Sequence, residues 1–162
     1  MYNICATNNL IIAGRLLVLG MATFVLLLLV IAIIKKYKWS LYRIDRMKGH
    51  DFEKFMKEVY TLLGYKVEET KKSGDQGIDL ILKKHFIKTG VQLKRYSKPV
   101  GNSAVQEAVA GKRFYKLDKV IVLTNRTFTK SAIELARANK VELLDREDLK
   151  SLLAKVKQDQ NN

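Results

Sequence analysis

Asp79, Gln92 and Lys94 are the residues whose types and spacing point to chemistry in this chain. Asp79 is an isolated acid in an apolar run (Ile78 to Leu82), and thirteen residues later Gln92 and Lys94 flank Leu93. If the two runs are neighbouring strands, side chains repeat every two residues, so Gln92 and Lys94 share a face. An acid, an amide and an amine then converge, a set able to hold a divalent metal against a phosphodiester. Magnesium takes hard oxygen ligands. The Asp79 carboxylate and the Leu93 backbone carbonyl supply two, and the Gln92 amide adds its oxygen or holds a water. Lys94 can orient the attacking water or stabilise charge developing on phosphorus. A plainer reading stands beside this one. An unpaired buried carboxylate is costly, and Lys94 or Arg95 would satisfy Asp79 in a structural salt bridge.

The elements that must position these residues follow from periodicity. Phe52, Phe55, Met56, Val59, Leu62 and Leu63 recur at helical spacing after His50, and Gly64 supplies a stop. Glu53 sits beside that apolar stripe, where a surface glutamate is the ordinary case. Tyr65–Glu69 is a short strand, Thr70–Gly77 a polar turn, and Ile78–Lys83 with His85–Arg95 an antiparallel pair. After the loop Tyr96–Gly101, Ser103 to Gln106 matches a capping box and opens a helix to about Tyr115. Lys119–Thr124 is a continuous β-branched run typical of a buried strand. Thr129 caps a helix through Asn139, Val141–Leu144 is a last strand, and Asp145–Val156 a closing helix. The order α-β-β-β-α-β-α-β-α, with strand–helix–strand alternation in its second half, implies parallel crossovers and an α/β fold: a mixed sheet flanked by helices.

The first forty residues differ. Leu16 to Ile34 carries no charge and is apolar on every face. As a helix it measures about 28 Å, near the thickness of a hydrocarbon core. A cleaved signal peptide would place its positive charge first, with a shorter apolar core and small residues at the cut. A soluble core helix would rarely run so long without a charge. A membrane span is the reading that fits. Lys35, Lys36, Lys38, Arg43, Arg46 and Lys48 follow it, against Arg15 alone before it, which orients the C-terminal side to the cytoplasm. Tyr37, Trp39 and Tyr42 suit an interfacial belt, and the cations suit anionic head groups. The expected organisation is a tail over 1–15, a transmembrane helix over 16–34, a basic juxtamembrane linker over 35–48, a catalytic domain over 49–156 and a polar tail over 157–162.

Net charge is +14, and Arg15 is the only one of 30 Lys and Arg to precede Lys35. So basic a domain suits a polyanion, either nucleic acid or anionic lipid, although a solvated basic surface is the bland alternative. Cys5 is the only cysteine, which excludes an internal disulfide and a cysteine-based zinc site.

In the stretches DFEKFMKEVYTLLGYKV, SGDQGIDLI, VQLKRY with VGNSAVQEAVAG, VLTNRTFTKSAIELA and VELLDREDL, the chain resembles the Mrr-type catalytic domain of the PD-(D/E)xK restriction endonuclease superfamily. The blocks occur in the family's order over roughly residues 48–152. The resemblance implies a restriction endonuclease-like fold and a nuclease that acts on DNA with Mg²⁺, or Mn²⁺ in its place. It places the family's first-helix glutamate on Glu53, its metal-binding aspartate on Asp79 and its final pair on Gln92 and Lys94. Glutamine at 92 removes a formal charge from the metal site, so Glu53 gains weight as a second carboxylate. Lys71, Lys72, Arg95, Lys98, Lys112, Arg113, Arg126 and Lys130 are candidate contacts to DNA phosphates, which position a duplex without reading it. Gln106 either lines the cleft or serves the capping box, and Tyr96 either stacks on a base or is structural. Expected partners are DNA, membrane lipid and, if both strands are cut, a second copy of the chain. A membrane-tethered module of the same fold that binds DNA without cutting it is the alternative.

Overall fold

A computed structural model describes residues 2–70 and 76–160. Two compact units divide the chain, Met1–Trp39 and Ser40–Asn162. The first is a single helix, α1 (Tyr2–Lys38). Its segment Gly14–Ile34 spans 21 residues of mean hydropathy 3.1, with none buried, and is long and apolar enough to cross a membrane.

The second unit runs α2 (Leu41–Asp45), α3 (Gly49–Leu62), β1 (Lys66–Glu69), β2 (Leu80–Lys84), β3 (Ile87–Lys94), α4 (Asn102–Phe114), β4 (Lys119–Thr124), α5 (Lys130–Ala138), β5 (Glu142–Leu144) and α6 (Arg146–Asp159). From α3 onward this is the order expected from periodicity. The strands lie in sequence order in one sheet. β1, β2 and β3 are antiparallel neighbours, while β3, β4 and β5 are parallel and joined through α4 and α5. The result is the mixed α/β sheet with flanking helices.

Alternation along the strands feeds two apolar layers. One layer lies under α4 and α5, where Ile78, Val120 and Val122 meet Ala104, Ala108, Ala132 and Ala136. The alanines let these helices approach the sheet closely, and Gly111 goes further. A Cβ there would stand 2.5 Å from the Gln76 carbonyl oxygen, so only glycine fits. On α3 the expected stripe is buried at Phe52, Phe55, Met56 and Val59, joined by Tyr60, whereas Leu62 is exposed. His85 and Phe86 form the β2–β3 turn with φ of 49° and 65°, so β3 begins at Ile87 and not at His85.

Two local expectations need correction. The N-cap of α4 is Gly101, without a side-chain cap bond, so the Ser103–Gln106 box does not form. A capping box occurs instead at Asp145 and Asp148, opening α6. Nor is all of 35–48 a linker. Ser40 caps α2, Ile44 is fully buried, and the Asp45 carboxylate receives both Arg146 Nη atoms at 2.8 Å and Asn125 Nδ2 at 2.9 Å. An ion pair between residues 101 apart in sequence ties the start of the domain to its last helix.

The hydrogen bond from Arg146 holds the Asp45 carboxyl below its ordinary range, against the opposing pull of burial and with help from Asn125. A depressed folded-state value means this stabilisation is complete above roughly pH 4 and is lost as pH falls through that value. We expect Asp45→Ala to cost about 2 kcal/mol at neutral pH. Denaturant unfolding followed by near-UV dichroism should show the deficit shrinking in acid, as the wild-type carboxylate protonates.

Candidate active site

Asp79 immediately precedes β2, but its backbone already continues the ladder. Its N–H donates to Val91 O at 2.9 Å and its carbonyl accepts from Thr70 N at 3.1 Å. Because Leu80 faces Val91 across the antiparallel pair, Asp79 comes opposite Gln92. Asp79 Oδ2 accepts from Gln92 Nε2 at 2.9 Å and from the Leu93 backbone N–H at 2.6 Å. The salt bridge to Lys94 or Arg95 allowed by the plainer reading does not form. Gln92 is 4% exposed, and while its Nε2 is satisfied its Oε1 is buried with no hydrogen-bond partner. An orphaned buried acceptor carries a penalty on the order of 1–3 kcal/mol unless something else meets it.

Lys94 shares the Gln92 side of β3 and reaches α4, where Nζ lies 2.7 Å from Glu107 Oε2. Burial pulls the Lys94 pKa down. The Glu107 hydrogen bond and charge, with smaller contributions from Tyr96 and Asp79, outweigh it and leave the value raised. Lys94 is therefore an ammonium, a donor and point charge. Glu107 was not singled out by sequence reasoning, which chose its neighbour Gln106. Gln106 is exposed and does not line the site. The available signal was position: Glu107 interrupts the buried stripe Ala104, Ala108, Gly111 of α4. Gly77 explains how the preceding loop comes so near. Its φ is +74°, and a Cβ would lie 2.4 Å from the Glu107 carbonyl oxygen.

A cavity of about 370 Å³ gathers these groups: Glu53, Asp79, Gln92, Leu93, Lys94 and Glu107 all line it. Glu53 is thus brought to the site from α3, with its carboxylate 3.4 Å from His50 Nδ1. Among the described residues no three His, Cys, Asp or Glu side chains cluster as a metal site. The donor set that fits a hard cation is mixed: the Asp79 carboxylate, the orphaned Gln92 Oε1 and the Leu93 carbonyl, with Glu53 across the cavity.

The candidate DNA contacts divide. Lys71 and Lys72 lie outside the described residues. Arg95 and Tyr96 line the cavity. Arg95, however, is committed inward, donating to Asp45 O at 3.3 Å while its Nε is buried without a partner. The Tyr96 backbone is held by Asn125 Oδ1 at 2.9 Å and by Arg126 Nε at 3.3 Å, which employs Arg126 as well. Lys98 is exposed on the following loop, and Lys130 is exposed at the start of α5. Lys112 and Arg113 belong to the last turn of α4, about 8–9 Å along the helix from Glu107, and do not line the cavity.

A family model described as a restriction endonuclease, of the Mrr catalytic type, matches residues 44–153. The chain belongs to this family. No curated protein matches it. Among solved structures, the DNA modification-dependent restriction endonuclease AspBHI is similar over 78% of this chain and 38% of its own, at 16% identity and a TM-score of 0.54. A protein described as of unknown function, AF1548, matches over 65% of each chain at 13% identity and 0.54. MspJI restriction endonuclease, in complex with a 27-mer oligonucleotide, matches over 75% of this chain and 34% of its own at 17% and 0.49. This chain therefore spans about a third of the two restriction enzymes, and at such identities the likeness is one of fold. The Mrr-type match begins at Ile44, inside α2, which agrees with Ile44 and Asp45 belonging to the domain.

Gly77→Ala tests whether the loop is as constrained as its geometry implies. We expect a loss of about 1–3 kcal/mol from the left-handed φ and the Glu107 clash together, measured by urea unfolding. A Gly49→Ala control, in the first turn of α3 where a Cβ meets nothing within 4 Å, should show no such loss.

Proposed function

We propose that the protein is a membrane-anchored, Mg²⁺-dependent endodeoxyribonuclease whose catalytic domain lies in the cytoplasm. The observation that carries the reading is the buried Gln92 Oε1, left without a partner beside Asp79 and two residues from a charged lysine. Family membership supports nuclease chemistry. Asp79, Gln92 Oε1, the Leu93 carbonyl and Glu53 are the groups that would hold Mg²⁺, or Mn²⁺ in its place. The metal would supply Lewis-acid charge stabilisation to the phosphodiester.

The chain's own residues do the rest. The Leu93 and Gln92 donors hold the Asp79 carboxylate in one orientation at the wall of the cavity. Lys94, kept protonated by Glu107, donates toward the non-bridging oxygens as water adds in line, the scissile P–O bond breaks and negative charge grows. Lys98 and Lys130 are cations free to meet the flanking phosphates. DNA as the substrate is supported by the family and by the resemblance to a DNA-cleaving enzyme fold. Cutting both strands with one site per chain favours a homodimer. Anchoring rests on the fully exposed apolar segment Gly14–Ile34, and orientation on the lysines and arginines that follow it, which also suit anionic lipid.

Full-length protein in detergent should nick supercoiled plasmid with Mg²⁺ and cease with EDTA. Asp79→Ala and Lys94→Ala should each lower the rate by at least about 10²-fold while leaving far-UV dichroism unchanged. Gel retardation by the wild type without any cutting would establish the non-cleaving alternative instead. Glu107→Gln provides a sharper test of the lysine. With its raising partner removed, Lys94 titrates at lower pH, so the alkaline limb of the cleavage profile should move toward neutrality. An unmoved limb would mean that Lys94 is not the group reporting there.

A further inference from the structure

Three buried side-chain polar atoms among the described residues have no hydrogen-bond partner: Gln92 Oε1, Arg95 Nε and Tyr60 Oη. The first two belong to residues lining the active-site cavity. The third does not, and Tyr60 lines a separate and larger cavity of about 440 Å³ that shares no residue with the first. This second cavity opens on the sheet face opposite Gln92 and Lys94. Thr89 and Ile121 form part of its wall, and both have the other strand parity. The remaining walls come from the C-terminal half of α3 and from α6.

Charge in this cavity is segregated along the strands. Lys84 and His85 stand at the hairpin end, and Lys119 joins them because it pairs with Thr89 near the start of β3. Glu142, exposed on the edge strand β5, stands further along, at the level of Ile121. On α6, Asp148 and Lys155 both face the cavity but sit two turns, about 10 Å, apart. Asp148 is at the helix start, so Lys155 falls toward the basic end. Between the ends, Ile121, Leu144 and Leu152 are apolar, Thr89 and Ser151 bring hydroxyls, and the Tyr65 ring stands against Tyr60 edge-on at 5.7 Å. Lys84 is already fixed at the mouth, donating to Leu63 O at 2.9 Å with its ammonium 4.8 Å from the Tyr65 ring centre. Burial, with the nearby Tyr65 and Glu142, pushes the Tyr60 pKa up, so its hydroxyl remains a donor.

We propose that this cavity is a binding site for a nucleoside monophosphate, distinct from the catalytic cleft. The basic end, where Lys84 stands over the Tyr65 ring, receives the phosphate, and the apolar middle of Ile121, Leu144 and Leu152 receives the base. The carboxylates of Glu142 and Asp148 accept from the sugar hydroxyls or the base amine. A cavity of this volume falls within the roughly 300–1,000 Å³ of small-molecule sites. A fatty acid brings no donors for the two carboxylates, and inorganic phosphate is too small to reach both ends. A nucleotide presents an anion at one end and hydrogen-bond donors at the other, which is the polarity of the cavity. A partner for the buried Tyr60 hydroxyl comes with it.

Calorimetric titration of the full-length protein in detergent, with EDTA present, tests the proposal using AMP and CMP as probes. One saturable site per chain is expected for at least one of them, with adenosine and inorganic phosphate each at least about tenfold weaker. The exposed pair Lys119→Ala/Lys155→Ala should weaken nucleotide binding at least about tenfold, and Tyr60→Phe at least about threefold, whereas Asp79→Ala should leave it unchanged. Failure of both nucleotides to bind would overturn the proposal. So would equal binding of inorganic phosphate, an unaffected Lys119/Lys155 double variant, or loss of binding in Asp79→Ala. None of these results depends on whether the protein cleaves DNA.

Discussion

The antiparallel register of β2 on β3 is the constraint from which the chemistry of this domain follows. Lys84 faces Ile87 across a two-residue turn, and counting back from there brings Leu80 opposite Val91 and Asp79 opposite Gln92. A slip of one residue would turn Gln92 and Lys94 to the face of the sheet opposite Asp79 and disperse the site. The turn that sets the count is His85–Phe86, both left-handed, which side chains other than glycine and asparagine adopt reluctantly. Parallel pairing of β3 with β4 then fixes the other edge of the site, since Lys94 pairs with Thr124.

Beyond Lys94 the chain leaves the sheet, and a polar node holds it there. Thr124 Oγ1 donates to Lys94 O at 2.7 Å, and the buried Asn125 takes the Tyr96 N–H at 2.9 Å. Asn125 also donates to Asp45, whose carboxylate is shared with Arg146. The residues that open the domain are thus bonded to the loop that holds the end of β3. With Thr124 and Asn125 buried and Asp45 and Arg146 half-buried, a mutually satisfied set of this kind is rigid, and removing one member strands the others. Placement of Lys94 and the folding of α2 are, on this geometry, one problem.

Local periodicity is what made much of this legible from sequence. Alternation, the β-branched run at Lys119–Thr124 and the apolar stripe of α3 each record a single element's environment, so element order and the Asp79/Gln92/Lys94 convergence could be anticipated. Errors arose where the deciding contact is distant in sequence. Asp45 looks like part of a basic tether until Arg146 is beside it. Gln106 stands in sequence between lining the cleft and closing a Ser-x-x-Gln cap, yet it does neither: the helix starts at Asn102, and Glu107 lines the site instead. Lys112 and Arg113 were grouped by charge, a property that says nothing about which end of a helix is near the cleft. Arg95 and Arg126 show a related limit: being basic did not reveal that internal carbonyls already engage them.

Glutamine at position 92 changes the physics of the site beyond lowering its charge. A second carboxylate there, 4% exposed and beside Asp79, would set two like charges together away from solvent, and one of them would protonate or force the strands apart until a cation arrived. The amide avoids this, because its Nε2 donates to Asp79 while its oxygen stays an acceptor. Opposite, Lys94 and Glu107 neutralise each other. The site can therefore fold with its geometry already set, leaving one buried oxygen, Gln92 Oε1, unsatisfied. An acid at 92 would bind a metal more strongly once formed, but would depend on that metal to form. The glutamine trades some of that affinity for a site that is organised in advance.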